Sequence, residues 1–324
     1  MELQNKTLCF LGDSLTASGI YPQDVRAYLK NQGIHCRVFN RGLGGNRAPM
    51  VKYLLEAEID WLKPDYVFIS FGVNDLGIWM YDSKKPITPE LLKQREERNQ
   101  LYYASMEEII VRLKERGITT VVTSPFAVDE LLIEREDIET VGDNKEKADY
   151  IGPSFYKRAT FRNLNVALKE YAENLKILAE RHGVLFCDIF TDGYTEHLKT
   201  PGMFKKDGIH ITEQGCRVFA KSVLKFLGFT DFSEENFALG DGMEEYYVLE
   251  RLERKAQYFR WAWHNPFHGE WTQEDVKKEA EAIVANPAAA NHHKEAANAY
   301  IEHGATIQDL QKRLYEENEK LMKD

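Results

Sequence analysis

The chain has 324 residues, 43% of them hydrophobic, enough for one large α/β domain or a core of about 200 residues with an appendage. A net charge of -10 disfavours binding to polyphosphate, and no basic stripe points to a nucleic-acid partner. No apolar run reaches the roughly 18 residues of a membrane-spanning helix, so no membrane partner is expected.

The stretch Met1-Glu2-Leu3-Gln4-Asn5-Lys6 lacks the apolar centre of a signal peptide, and Cys9, Cys36, Cys187 and Cys216 show no CxxC spacing. The expectation is buried thiols in a reducing cytoplasm. The first strand, Thr7–Leu11, is mostly apolar and runs into Gly12-Asp13-Ser14-Leu15-Thr16. A buried parallel strand of this kind delivers its serine to the carboxyl edge of a sheet, where open α/β folds place ligands. A helix around Gln23–Gln32 stops at Gly33. Cys36–Asn40 is the second strand, followed by the glycine loop Arg41-Gly42-Leu43-Gly44-Gly45-Asn46. Val51–Leu62 reads as a helix ended by Pro64.

The third strand, Tyr66–Phe71, closes on Gly72-Val73-Asn74-Asp75, and a longer excursion follows over Ile78–Pro86. Thr88-Pro89-Glu90 has the N-cap, the proline and the early acid of a helix start. That helix is expected to reach Arg116, with Gly117 as its stop. Thr119–Ser124 is the fourth strand. The connection Phe126–Ala159 is long for a compact domain, which suggests a lid or binding loop, although Glu130–Glu139 is charged enough for a solvated face. A helix from Phe161 to Arg181, a fifth strand over Val184–Asp188 and a helix over Glu213–Phe226 complete the series. The alternation implies an α/β fold: a three-layer sandwich over residues 1–228, with a five-stranded parallel sheet in the flavodoxin-like order 2-1-3-4-5.

From Phe229 the strand signals stop, and residues 229–324 read as a helical extension packing on or covering the core. Met243–Trp263 is amphipathic, Thr272 caps a helix that stops before Pro287, Ala288–His303 is another, and Thr306 caps the last. The aromatic stretch Tyr258–Trp271 is expected to fasten the extension to the core, with a stacking wall for sugar rings or a cover over the crevice as the alternatives. His264 and His268 have the spacing of metal ligands on a helix, but Pro266 argues against that helix, and no metal is expected. His292 and His293 are expected on an exposed helix.

Near the end of the core stands Asp207-Gly208-Ile209-His210. An acid three residues before a histidine in one tight loop can reach Nδ1 and leave Nε2 facing a hydroxyl, here that of Ser14. The order Ser, Asp, His is one of several that the same geometry uses. Asp13 and Asp75 read as acids that shape their loops, and Asn46 and Arg47 as substrate contacts or as solvated loop.

Taken together, Gly12-Asp13-Ser14-Leu15, the glycine loop, Gly72-Val73-Asn74-Asp75 and Asp207-Gly208-Ile209-His210 resemble the four sequence blocks of the SGNH (GDSL) hydrolase family. They occur in the family's order across residues 5–228. The resemblance implies that Ser14 is the nucleophile, His210 the base and Asp207 its orienting acid, with Ser14, Gly45 and Asn74 forming the oxyanion hole. Gly45 is chosen over Gly44 because the family's glycine lies five residues after the asparagine that ends strand two, here Asn40. It also implies cleavage of esters or thioesters with no metal and no cofactor. The expected activity is that of a serine esterase removing a short acyl group, acetyl foremost, from a small polar ester such as an acetylated oligosaccharide. A lysophospholipase or thioesterase of the same family is the alternative. A non-catalytic binding protein on a hydrolase scaffold is a remote one, against which the four intact blocks argue.

Overall fold

β1 (Thr7–Gly12) is buried at all six positions and pairs in parallel with β2 (Arg37–Gly42) on one side and β3 (Tyr66–Ser70) on the other. β4 (Thr119–Thr123) joins β3, and β5 (Leu185–Cys187) joins β4, giving the expected order 2-1-3-4-5. This computed structural model describes residues 1–17, 19–83, 85–130, 161–200, 202–205, 207–263, 272–289 and 291–323. They form two compact units, residues 1–130 with 161–238, and residues 239–323.

An all-parallel sheet must be covered on both faces. In the first unit α2 (Tyr21–Asn31) packs against α7 (Glu213–Phe226). α3 (Ala48–Ile59) packs against α4 (Pro89–Glu115), and α4 against α5 (Leu164–His182). The result is the three-layer α/β sandwich. α4 starts as expected, because the Thr88 hydroxyl accepts from the Leu91 N–H at 3.1 Å. α3 begins three residues before the expected Val51. Its first turn is capped from another loop: the Asp75 carboxylate accepts from the Ala48 N–H at 3.0 Å. A short helix absent from the sequence reading, α6 (Phe190–His197), has the same explanation. The Ser124 hydroxyl accepts from the N–H groups of Ile189 and Phe190 at 2.8 Å, beside a local cap in which Asp188 Oδ1 accepts from the Thr191 N–H at 3.1 Å.

Gly12 pairs with Gly42 across β2 and with Ser70 across β3, so three strands end level and their loops rise from one carboxyl edge. Two glycines make the approach possible. A Cβ on Gly12 would lie 2.1 Å from Thr16 Oγ1, and one on Gly42 would lie 2.2 Å from the Ala17 backbone nitrogen. Behind this edge Tyr21 stacks on Phe219 at 3.8 Å between ring centroids, and Phe126 stacks on Phe219 at 5.2 Å. The buried Arg41 pairs with the buried Glu58 at 2.7 Å and ties β2 to α3. All four cysteines are buried.

The second unit consists of α8 (Met243–Trp263), α9 (Gln273–Ala285), α10 (Asn291–His303) and α11 (Ile307–Lys323). Thr272 and Asp275 form a reciprocal capping box at the start of α9. Phe259, Val276, Ala280, Ala297 and Tyr300 make an apolar core. His293 is only 3% exposed, which corrects the expectation of an exposed helix: α10 packs against both α8 and α9. His264, His268 and the end of the aromatic stretch, residues 264–271, lie outside the described residues, as does most of the long connection, residues 131–160. No helix among the described residues is long and apolar enough to cross a membrane.

Candidate active site

Ser14 is the first residue of α1 (Ser14–Ala17), a single turn that follows β1 directly. Asp13 builds that turn: its carbonyl accepts from the Ala17 N–H and its Oδ1 from the Leu15 N–H, both at 2.9 Å. The strand therefore stops and the chain reverses at the serine. Burial pushes the Asp13 carboxyl up to about 6, against the Leu15 N–H and the nearby His210 charge, which lower it.

His210 comes from a narrow ribbon. The Thr212 N–H donates to the Met203 carbonyl at 2.9 Å and the Lys205 N–H to the His210 carbonyl at 2.7 Å, with Phe204 and Ile211 bridged between. At its tip the Asp207 Oδ1 accepts from the backbone N–H groups of Ile209 at 2.9 Å and His210 at 2.8 Å. Oδ2 is thereby turned onto His210 Nδ1 at 2.6 Å, and His210 Nε2 lies 3.0 Å from Ser14 Oγ. Burial raises the Asp207 carboxyl, but the hydrogen bond and charge of His210 and the two N–H donors outweigh it and hold the group below its ordinary value. An ionised carboxylate only accepts, so Nδ1 carries the hydrogen and Nε2 is left to accept from the serine hydroxyl. The Gly208 carbonyl also accepts from the Asp129 N–H at 2.7 Å, which anchors the ribbon to the loop after β4.

The other two loops meet beside each other. Leu43 to Asn46 is a turn closed by the Asn46 N–H on the Leu43 carbonyl at 3.2 Å, with Gly45 at its third position and φ +71°. Glycine suits that position of a type II turn, so of the adjacent pair it is Gly45 whose backbone requires glycine. The Asn74 amide donates to the Asn46 carbonyl at 3.1 Å, and the Asn46 side chain accepts from the Arg47 N–H at 3.0 Å. Asn40 stitches β2 to the serine turn: its amide donates to the Thr16 carbonyl at 2.7 Å and its oxygen accepts from the Gly42 N–H at 2.9 Å. Asp75, which caps α3, is buried and pushed up to about 7, mainly by that burial and further by the Asp13 charge.

The structure thus brings Ser14, His210 and Asp207 into one hydrogen-bonded chain, and Gly45 and Asn74 together through Asn46. The chain can withdraw a proton from the serine hydroxyl. Among the described residues no cluster of His, Cys, Asp or Glu could hold a metal ion. Arg98 escaped the sequence reading. It donates to the carbonyls of Asn74 and Asp75, yet it sits in the charged run Lys93-Gln94-Arg95-Glu96-Glu97-Arg98, where nothing marks it out.

An acetylxylan esterase from Geobacillus stearothermophilus is 23% identical over 196 residues, 60% of this chain and 73% of the relative. A crystal structure of an acetylxylan esterase from that organism shares the fold with a TM-score of 0.51 at 22% identity, over 71% of this chain and 98% of that one. A gut microbial diltiazem-metabolizing enzyme shares it with a TM-score of 0.74 at 16% identity, over 99% of this chain and 95% of that one. The sequence pattern of the GDSL-like lipase/acylhydrolase family matches residues 10–218. Because that match runs from inside β1 into α7, well over half of the sequence, the chain belongs to the GDSL-like lipase/acylhydrolase family and is a carboxylic ester hydrolase.

Proposed function

We propose that this protein is a cytoplasmic serine esterase that removes short acyl groups, acetyl foremost, from a carbohydrate. The observation that carries the proposal is the chain from Ser14 Oγ to His210 Nε2 at 3.0 Å and from His210 Nδ1 to Asp207 Oδ2 at 2.6 Å. His210 takes the serine proton as Ser14 attacks the ester carbonyl, and Asp207 stabilises the imidazolium that results. Negative charge develops on the carbonyl oxygen. The N–H groups of Ser14 and Gly45 and the Asn74 amide receive it as preorganised donors. The imidazolium then protonates the departing alcohol, and water, deprotonated by His210, releases the acid and restores the serine.

The acetyl-carbohydrate assignment is supported by the acetylxylan esterase among the relatives. The cytoplasmic location is supported by the buried thiols of Cys36, Cys187 and Cys216, none of which forms a disulfide. An acyl-chain series from 4-nitrophenyl acetate to the laurate, run beside acetylated xylooligosaccharides, tests the substrate class. The highest kcat/KM is expected for acetate, with acetate released from the oligosaccharides. A preference for laurate, with no release from any oligosaccharide, contradicts the assignment.

A further inference from the structure

We propose that Arg98 is a positioning residue of the oxyanion hole, acting through Asn74; the inference rests on the reading of Asn74 as an oxyanion donor. Arg98 lies on α4, far in sequence from every block of the site. Its guanidinium grips two successive carbonyls of the loop after β3: Nη2 donates to Asn74 at 2.9 Å and Nε to Asp75 at 2.8 Å. The planar fork suits such a double contact, which a lysine ammonium does not reproduce. The guanidinium also lies 4.8 Å from the Trp79 ring centroid, a cation–π contact that holds it against the loop.

The loop needs such a clamp. It is bounded by Gly72 at φ +143° and Gly77 at φ +67°, two residues whose backbones adopt many conformations at little cost. Gly77 also makes room for the clamp, since a Cβ there would lie 2.8 Å from Arg98 Nε. On its other side the loop is tied to the glycine loop by Asn74 on the Asn46 carbonyl and by Asp75 on the Ala48 N–H. Asn74 is therefore held from two directions, and besides the turn bond from the Gly77 N–H to the Asn74 carbonyl at 3.2 Å, Arg98 is a hold on it from outside the glycine loop. An oxyanion donor works by being in place before charge develops, and a displacement of about 1 Å costs roughly 10² in rate.

The test compares Arg98→Met and Arg98→Lys, each alone and combined with Asn74→Ala, using 4-nitrophenyl acetate. Each Arg98 variant alone is expected to lower kcat by about 10–10² with KM within about twofold, because the loss falls on the transition state. In the Asn74→Ala background the same changes should cost less than about threefold, since the residue through which Arg98 acts is gone. Arg98→Lys keeps the charge and most of the volume, so it carries the test if Arg98→Met fails to fold. Unchanged kcat in the variants that fold, or losses that multiply with that of Asn74→Ala, overturns the inference. So does an Asn74→Ala enzyme with full kcat. Ser14→Ala separates the two levels: turnover retained by it overturns the esterase reading itself, whereas an inactive Ser14→Ala beside fully active Arg98 variants overturns only the role of Arg98.

Discussion

The Asn74 side chain donates to the main-chain carbonyl of Asn46 at 3.1 Å, fastening the loop after β3 to the loop after β2 at the carboxyl edge of the sheet. One N–H of the amide is used in that bond, and in the proposed mechanism the other is offered to the developing oxyanion. Asn74→Ala is expected to lower kcat for 4-nitrophenyl acetate by about 10²–10³ with little change in KM. Steady-state kinetics checks this, and a loss confined to KM would remove Asn74 from the oxyanion hole.

Asp207→Asn separates orientation from packing. An asparagine can still accept from the N–H groups of Ile209 and His210, so the ribbon tip should persist. Its amide nitrogen, however, would donate to His210 Nδ1 and move the ring hydrogen to Nε2, the nitrogen that must accept the serine proton. The expected result is a folded enzyme with kcat lowered by about 10²–10⁴. Circular dichroism and turnover measured on the same sample check it.

Gly42→Ala is expected to damage the fold as well as the site. The added carbon would lie 2.2 Å from the Ala17 backbone nitrogen and 2.6 Å from the Thr16 carbonyl carbon, and backbone cannot swing aside. A loss at or above the ~1–3 kcal/mol usual for overpacking is expected in urea denaturation. Gly45→Ala is the contrast: its Cβ would meet nothing within 4 Å, so only the φ of +71° opposes it, at about 1–3 kcal/mol.

The stability that Asp13 and Asp75 contribute should fall as pH rises from about 4 to about 7. Burial raises Asp13 to about 6 and Asp75 to about 7, so the folded chain holds these protons more tightly than the unfolded chain. The stability they confer is complete below their unfolded values and is lost as pH climbs through their folded ones. Asp207, held low, behaves oppositely: its contribution is present above its unfolded value and is lost on acidification through its folded one. Asp75→Asn keeps an acceptor for the Ala48 N–H and removes the titration. Its Tm should vary less than that of the wild type between about pH 5 and pH 8, the difference corresponding to at most about 3 kcal/mol. Parallel Tm profiles for the two proteins would contradict this.

Much of this was legible because the signals are local. The capping threonines at 88 and 272, the apolar strands and the glycine stops each declare an element within a few residues, and the sheet has the flavodoxin-like order expected of such alternation. The grouping of Ser14, Asp207 and His210 was expected from the resemblance to the family's four blocks, and a short turn and a tight ribbon hold each group near its own backbone partners. What escaped depends on contacts distant in sequence. Ser124 caps α6 and Asp75 caps α3 from the loops after β4 and β3, and Arg98 reaches the Asn74 loop from a helix rich in charge. His293 looked exposed because its neighbours are polar, and only the packing of α10 between α8 and α9 buries it.

The most direct test of the account is the identity of the residue that a fluorophosphonate modifies. Intact mass and peptide mapping should find one adduct per chain, carried by the peptide that contains Ser14, absent from Ser14→Ala and formed far more slowly in His210→Ala. An adduct on another residue, or undiminished labelling of Ser14→Ala, would contradict it.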